Sequence, residues 1–266
     1  GASTLQALEL QRQGLRTDAI AAYKRAEGKL KHPALKLNLG ALLVLEETPD
    51  EAVRHLGEAV NQPTLAPGAF QGLGVAYQLQ GKYRQAIKWL MQALQSVDSG
   101  QSLTDDDVVE LTHTYDRLSA VLDRQNEEVQ AAVTQRFKSL LMHKEWRHRV
   151  PETRRQLEET LHEQGEDAMI DILVDPNGDR LTSAMDSINR YLRQGMFDMA
   201  MEETHHAVEF SPFYLPVHER MAEVLLREGR VRQAITKYNT IAKVYMARGD
   251  NIRAARILNN ILEMAP

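Results

Sequence analysis

Pro67-Gly-Ala-Phe70-Gln-Gly-Leu73-Gly74-Val-Ala-Tyr77, then Gly81, then Ala86, Leu90 and Ala93, form the stretch that decides the fold. Phe70, Leu73, Gly74 and Tyr77 stand at i, i+3, i+4 and i+7, the period of one helix face. Gly81 breaks that helix, and Ala86, Leu90 and Ala93 restart the same period. The spacing predicts a helical hairpin that turns at Gly81 with positive φ. Two antiparallel helices cannot bury their apolar stripes alone, so neighbouring hairpins must stack. Where two helices cross closely only a small residue fits, and Gly74 and Ala86 supply one on each helix.

The pattern recurs upstream. Pro33 opens a unit that continues with Leu39-Gly40, Leu43, Ala52, Leu56 and Ala59. Pro67 follows Pro33, Gly74 follows Gly40 and Ala86 follows Ala52, all by one and the same interval. Pro33 and Pro67 suit first helical positions, where no amide bond is lost. A degenerate first unit has Gly14 as its turn and Ala19, Tyr23 and Ala26 in its second helix. These residues, with their common interval of about 34 residues, resemble the tetratricopeptide repeat, W-x2-L-G-x2-Y…A-x3-F…P. Phe70 stands for the Trp, Leu90 for the Phe and Asp98 for the Pro. The resemblance implies an all-α fold of helical hairpins in a right-handed superhelix, and it implies work as a holder of partners.

Residues 99–180 leave the register. Thr104 followed by Asp105, Asp106 and Asp107 reads as a capped helix start, since acids there complement the helix dipole. Val109, Leu111, Leu118, Val121 and Leu122 make one amphipathic helix. Val129, Val133, Phe137, Leu140 and Leu141 make a second, from about Glu127 to His143. Pro151 is expected to open a third, with Leu157, Leu161 and His162. Met169, Ile170, Ile172 and Leu173 make a short fourth, and Asp175 to Asp179 read as a turn. Repeats then return with Tyr191, Gly195, Ala200, Ala207 and Pro212, and with Ala222, Leu225, Gly229, Ala234 and Tyr238. In the last unit Ala254 follows Ala234 well short of a full repeat interval. One helix from about Arg232 to Ala247 is therefore expected to serve two overlapping units. The chain divides into a repeat block at 1–98 with three units, a helical insert at 99–180, and a second block at 181–266 with two to three overlapping units.

Composition narrows the class. The 266 residues contain no cysteine, which excludes a disulfide scaffold and thiolate metal sites and fits a reducing compartment. No apolar run reaches about 18 residues, so no membrane span is expected. The net charge is −5. Residues 1–100 hold 11 Lys+Arg and 9 Asp+Glu, residues 101–178 hold 9 and 17, and residues 179–266 hold 12 and 11. The acidity of the middle third is expected on a solvated helical face, and it argues against nucleic acid there. Gly1-Ala2-Ser3 and the stop at Pro266 lead us to expect a piece of a longer protein.

The resemblance also implies where a partner lies. First helices of stacked hairpins line a concave groove, and in the N-terminal block that groove takes Leu37, Asn38, Ala41, Val44, Leu45, Val75, Gln78 and Leu79. It suits an amphipathic helix or an extended apolar segment, from a partner or from residues 105–145 of the same chain. The C-terminal groove takes Met185, Asp186, Asn189, Arg193, Glu219, Arg220, Glu223, Arg227 and Lys243. Its arginines either grip a carboxylate or form ordinary ion pairs along the helix. Some members of the family hold the C-terminal carboxylate of heat-shock chaperones with two Lys, two Asn and one Arg. The matching positions here are Thr4, Leu8, Asn38, Gly68 and Gly72, and only Asn38 agrees, so that role is not expected.

Other constellations are weaker. Asp175, Asn177, Asp179 and Asp186 have calcium-loop spacing, but Arg180 replaces the required Gly with a cation. His143 to Arg149, with Arg154 and Arg155, is the basic cluster with an aromatic, and reads as a cationic helix end. No His spacing suits a metal. We expect no catalytic residue, no cofactor and no metal. The expected function is a non-catalytic scaffold or adaptor of bacterial, cytoplasmic type that binds a protein or peptide. Neither nucleic acid nor membrane is expected as a partner, and self-association is expected through the apolar C-terminal helix. A sensor or regulatory module of a larger signalling or transcription-regulating protein, and a substrate-docking arm of an enzyme, remain as alternatives.

Overall fold

The structure is a computed structural model that describes residues 2–100, 104–175 and 179–264. Among the described residues there are fifteen α-helices and no strand. The chain divides into two compact units: residues 1–103 with 115–150, and residues 104–114 with 151–266.

Unit 1 begins with three hairpins: α1 (Ala2–Arg12) with α2 (Arg16–Glu27), α3 (Pro33–Leu45) with α4 (Pro49–Ala59), and α5 (Ala66–Leu79) with α6 (Tyr83–Ser99). It ends with the second half of α7 (Asp105–Leu122) and with α8 (Glu127–Met142), which packs on α5 and α6. Gly14 and Gly81 turn their hairpins at φ 77° and 71°, the left-handed region that a side chain resists.

The close approaches fall at glycine, as the sequence predicts. A Cβ on Gly74 would lie 2.4 Å from Leu90 Cγ, and one on Gly40 would lie 2.5 Å from Leu56 Cγ. Leu56 also meets the next hairpin, since a Cβ on Gly72 would stand 2.9 Å from its Cδ1. Leu56 and Leu90 are both fully buried. Each leucine thus fills the space that a missing side chain leaves on the facing helix. Phe70, which stands for the usual Trp, stacks on Trp89 with ring centroids 5.7 Å apart. Asp98, at the usual Pro position, is fully buried and accepts a hydrogen bond from Tyr115 Oη at 3.2 Å. An acid at the end of the last hairpin therefore ties α6 to α7.

Unit 2 holds the start of α7, most of α9 (Trp146–Gln164), and α10 (Ala168–Val174). It continues with α11 (Asp179–Gln194), α12 (Phe197–Phe210), α13 (Leu215–Arg227), α14 (Val231–Ala247) and α15 (Asn251–Met264). The helix α14 packs against both α13 and α15. Gly195, Gly229 and Gly249 turn at φ 72°, 77° and 82°.

Thr104 and Asp107 form a reciprocal cap on α7: Asp107 N–H donates to Thr104 Oγ1 at 3.2 Å, and Thr104 N–H donates to Asp107 Oδ2 at 3.0 Å. Three expectations need correction. Val109 is 68% exposed and not inward; its neighbours Leu111 and Leu118 carry the buried stripe. Pro151 does not open α9 but lies inside it. The helix has already begun, with Trp146 N–H bonded to His143 O and Arg149 N–H to Glu145 O, so Pro151 falls past the first turn and forgoes one i to i−4 hydrogen bond. The acids of the middle third are not all on a solvated face: Glu152, Glu158 and Glu159 are 2–3% exposed.

Gly74→Val should destabilise unit 1 by about 1–3 kcal/mol, because Leu90 has nowhere to go. Gly57, with nothing within 4 Å of a Cβ, should instead gain up to about 1 kcal/mol as Gly57→Ala. Urea unfolding of both variants checks the contrast.

Candidate functional site

The N-terminal surface is built on α3 and α5. Along α3, Leu35, Leu39, Leu42 and Leu43 turn into the core. The helix period then leaves Ala41 and Leu45 outside, with Leu45 53% exposed. Leu37 and Val44 are half-buried against the same core. Along α5, Leu79 is 41% exposed, whereas Val75 is buried. Gln78 is half-buried and donates from Nε2 to Gln135 Oε1 of α8 at 3.1 Å. On α1, Leu5 and Leu8 are 70% and 43% exposed.

Asn38 donates to Tyr23 Oη at 3.2 Å, and Tyr23 Oη donates to Gln11 Oε1 at 2.6 Å. This chain ties three successive helices of the stack together. At the position where a chaperone clamp needs Arg, Gly72 lies against Leu56, so the packing itself excludes a long side chain there.

The hairpin α5–α6 brings the pattern and the geometry together: a Phe on a Trp, a Gly under a Leu, and a glycine turn, with the Gly–Leu contact repeated one period upstream in α3–α4. Residues 67–96 match the family model described as Tetratricopeptide repeat. Over this hairpin the chain is similar to a tetratricopeptide repeat. No curated protein matches it. Tetratricopeptide repeats generally mediate protein–protein interaction, and the family is typically a non-catalytic module. Among the described residues no helix is long and apolar enough to cross a membrane.

The helices α11 to α14 present a charged surface. Arg220 pairs with Glu223 at 2.7 Å, and Arg227 reaches the same carboxylate at 3.7 Å. The i, i+3 and i, i+4 spacing along α13 makes these pairs local to one helix. Arg193 and Lys243 are exposed, Asp186 and Asn189 are half-buried, and Met185 is fully buried in the core of its hairpin. Of the calcium-spaced residues, Asn177 lies outside the described residues, and Arg180 places its guanidinium 4.2 Å from the Phe210 ring centre. On α15, Leu258 and Leu262 are 37% and 68% exposed, while Ala254 and Ile257 are buried.

Sequence reasoning missed the most highly charged site, which lies inside unit 2. Arg253, itself buried, donates to three carboxylates: Glu159 Oε1 at 2.6 Å, Glu158 Oε2 at 2.8 Å and Glu110 Oε1 at 2.9 Å. Arg154 also pairs with Glu158, and Arg248 with Glu159 at 2.9 Å. Tyr245 Oη lies 3.0 Å from Glu159 Oε1 and 2.7 Å from Glu219 Oε1. Further along α9, Glu152 accepts from Tyr214 Oη at 2.7 Å, and Gln156 donates to Thr182 Oγ1 at 3.1 Å. The face Glu152, Gln156, Glu159 thus meets the residue before α13, α11, the end of α14 and the start of α15. Of these groups Glu110, Glu158, Glu159, Glu219, Tyr245 and Arg253 line a cavity of about 200 Å³. Glu110, His162 and Asp250 each place one ligating atom within 4.8 Å of the others. Arg253 stands among them, 3.5 Å from Asp250 Oδ2, so the cation they face is a guanidinium.

Burial raises the Glu159 carboxyl to about 7 despite Arg253 and Arg248, and it raises Glu158 as well. Burial also pushes Glu110 up, but the hydrogen bond to His162 and the charge of Arg253 outweigh it and hold Glu110 low. The Glu110 contact raises His162. Burial drives Tyr245 well up, so its hydroxyl stays a neutral donor. The string Arg154 to Thr160 gave no sign of this, since a charged helix in a sequence normally means solvent.

Arg253→Met should destabilise unit 2 by about 3–5 kcal/mol, because it strands buried carboxylates. Arg256→Ala, which removes a half-exposed pair 3.6 Å from Asp107, should cost less than about 1 kcal/mol. Chemical unfolding of the two variants separates a buried centre from its rim.

Proposed function

We propose that this protein is a non-catalytic scaffold whose N-terminal repeats hold an apolar or amphipathic helix of a partner protein. The observation that carries the reading is the exposure of Leu45 and Leu79 on successive first helices, beside exposed Ala41. A stripe of this kind is what an amphipathic helix covers in a helix-in-groove complex. Leu37, Val44 and Val75 form its floor, and Asn38 and Gln78 supply polar points along it. Leu5 and Leu8 of α1 extend it toward the N-terminus. The C-terminal repeats, with Asp186, Asn189, Arg193, Arg220, Arg227 and Lys243, make a second, charged surface that suits a polar segment. In this reading residues 1–98 and 181–266 are the two repeat blocks, and 99–180 is the insert.

Helical peptides selected from a displayed library on the full chain test the reading. Leu45→Asp should weaken selected binders by tenfold or more with the helical circular dichroism unchanged. Binding that survives both Leu45→Asp and Leu79→Asp would rule out this surface.

The outer face of α15 is proposed for self-association. Leu258 and Leu262, 37% and 68% exposed, would together release about 1.5–3 kcal/mol on full burial. Light scattering should show concentration-dependent dimers that Leu262→Glu abolishes; a strict monomer at high concentration would remove this reading.

A further inference from the structure

The cluster around Arg253 holds more acids than bases. Its carboxylates are Glu110 from α7, Glu158 and Glu159 from α9, Glu219 from α13 and Asp250 at the start of α15. The cations that answer them are Arg154 from α9, Arg248 after α14, and Arg253 from α15. The other charged groups at the rim pair off among themselves: Arg155 with Glu152, Arg220 with Glu223, and Arg256 with Asp107. Tyr245 from α14 and Tyr214 ahead of α13 face the acids as neutral donors. Among the described residues, five carboxylates therefore meet three guanidiniums in a largely buried place.

Buried net charge is expensive, and an ionisable site that carries it takes up protons instead. Two groups are placed to do so. His162 Nε2 lies 3.3 Å from Glu110 Oε1 at the cluster edge. Glu158 and Glu159 are adjacent in sequence and both 2–3% exposed, and they share the guanidinium of Arg253. One proton on His162 and one on the glutamate pair would bring the cluster to neutrality.

We propose that the packing of α9 in unit 2 is proton-linked: the packed helix carries one proton on His162 and one shared by Glu158 and Glu159, and on leaving it gives up the shared proton and, above the ordinary histidine range, the His162 proton as well. The helix is suited to this because polar groups hold it. Glu152, Gln156 and Glu159 anchor it through hydrogen bonds and ion pairs, and buried ion pairs of this kind add little net stability over their desolvation cost.

The sign follows from the direction of each shift. Glu159 rises from an ordinary 4.5 to about 7, so packed α9 holds a proton that the released helix lacks across that window. Its packing is strongest below it and weakens as pH rises through it, by about tenfold per pH unit for each proton. His162 is raised above 6.5, so it acts in the same direction above that pH. Glu110 and Asp107 are lowered, so they weaken packing only as pH falls below their ordinary range. Packing should therefore be strongest near pH 5.

Hydrogen exchange of the full chain, corrected for intrinsic rate, tests the proposal between pH 5 and 8. Protection across residues 151–164 and 251–260 should fall about tenfold per pH unit between pH 5 and 7. Residues 34–60 serve as an internal reference and should stay within about twofold. Glu159→Gln should flatten the slope below pH 7, and His162→Gln should remove the part above pH 6.5 while leaving the rest. A flat or rising profile in unit 2, or the same slope in residues 34–60, would overturn the proposal. So would a Glu159→Gln chain that keeps the wild-type slope. Should Glu159→Gln fail to fold, the wild-type profile and His162→Gln decide the matter, because His162 lies at the exposed edge.

Discussion

Leu56 between Gly40 and Gly72 is the contact on which the N-terminal repeats depend. A side chain on either glycine would occupy the space that the leucine fills. The first contact closes the hairpin α3–α4, and the second sets α5 against α4, so one residue joins the fold of a unit to the stacking of units. Leu90 repeats the first contact under Gly74 one period later. Burying each leucine contributes about 1.5–3 kcal/mol, and the larger effect is geometric. Without a Cβ between them, two helices approach closely enough for the next pair of helices to find the same surface. A linear stack of this kind is stabilised by nearest neighbours, which is why substitutions elsewhere in the pattern are tolerated. Phe70 can replace a Trp because Trp89 lies across from it, and Asp98 can replace a Pro because Tyr115 binds it.

Unit 2 solves a different problem. Its later helices pack around small and aromatic residues, among them Ala222, Ala234 and Tyr245, but α9 enters with its polar residues inward. Seven consecutive or near-consecutive polar side chains from Glu152 to Thr160 are under 9% exposed. Such an arrangement is worth little as net stability. It does give direction and register, because each carboxylate has a defined donor: Tyr214, Tyr245, Arg154, Arg248 or Arg253. An apolar helix could slide along an apolar groove, whereas a helix read by Tyr214, Tyr245, Arg248 and Arg253 from other elements cannot.

The two kinds of surface suggest a division of labour. Exposed leucines on α3 and α5 ask for an apolar cover. The arginines of α13 are already answered by Glu223, which turns that surface toward polar contacts of modest strength. On the proposed proton-linked packing of α9, the buried cluster would contribute control more than affinity.

By itself the sequence determined the hairpins, their period and their small-residue crossings. Gly40, Gly74, Gly81, Leu56 and Leu90 are set by local helix geometry and by the repeat interval, both of which are written along the chain. The cap of α7 at Thr104 and Asp107 is legible for the same reason, because its partners are close neighbours in the chain. Tertiary structure alone decided which charges are inside. Arg253 meets Glu110 across 143 residues and Glu159 across 94, and no spacing rule connects groups that far apart. It also decided that Val109 faces solvent and that α9 begins before Pro151. A helix face is buried or exposed according to what packs on it, and a charged side chain goes inside only where distant donors have already been brought together to receive it.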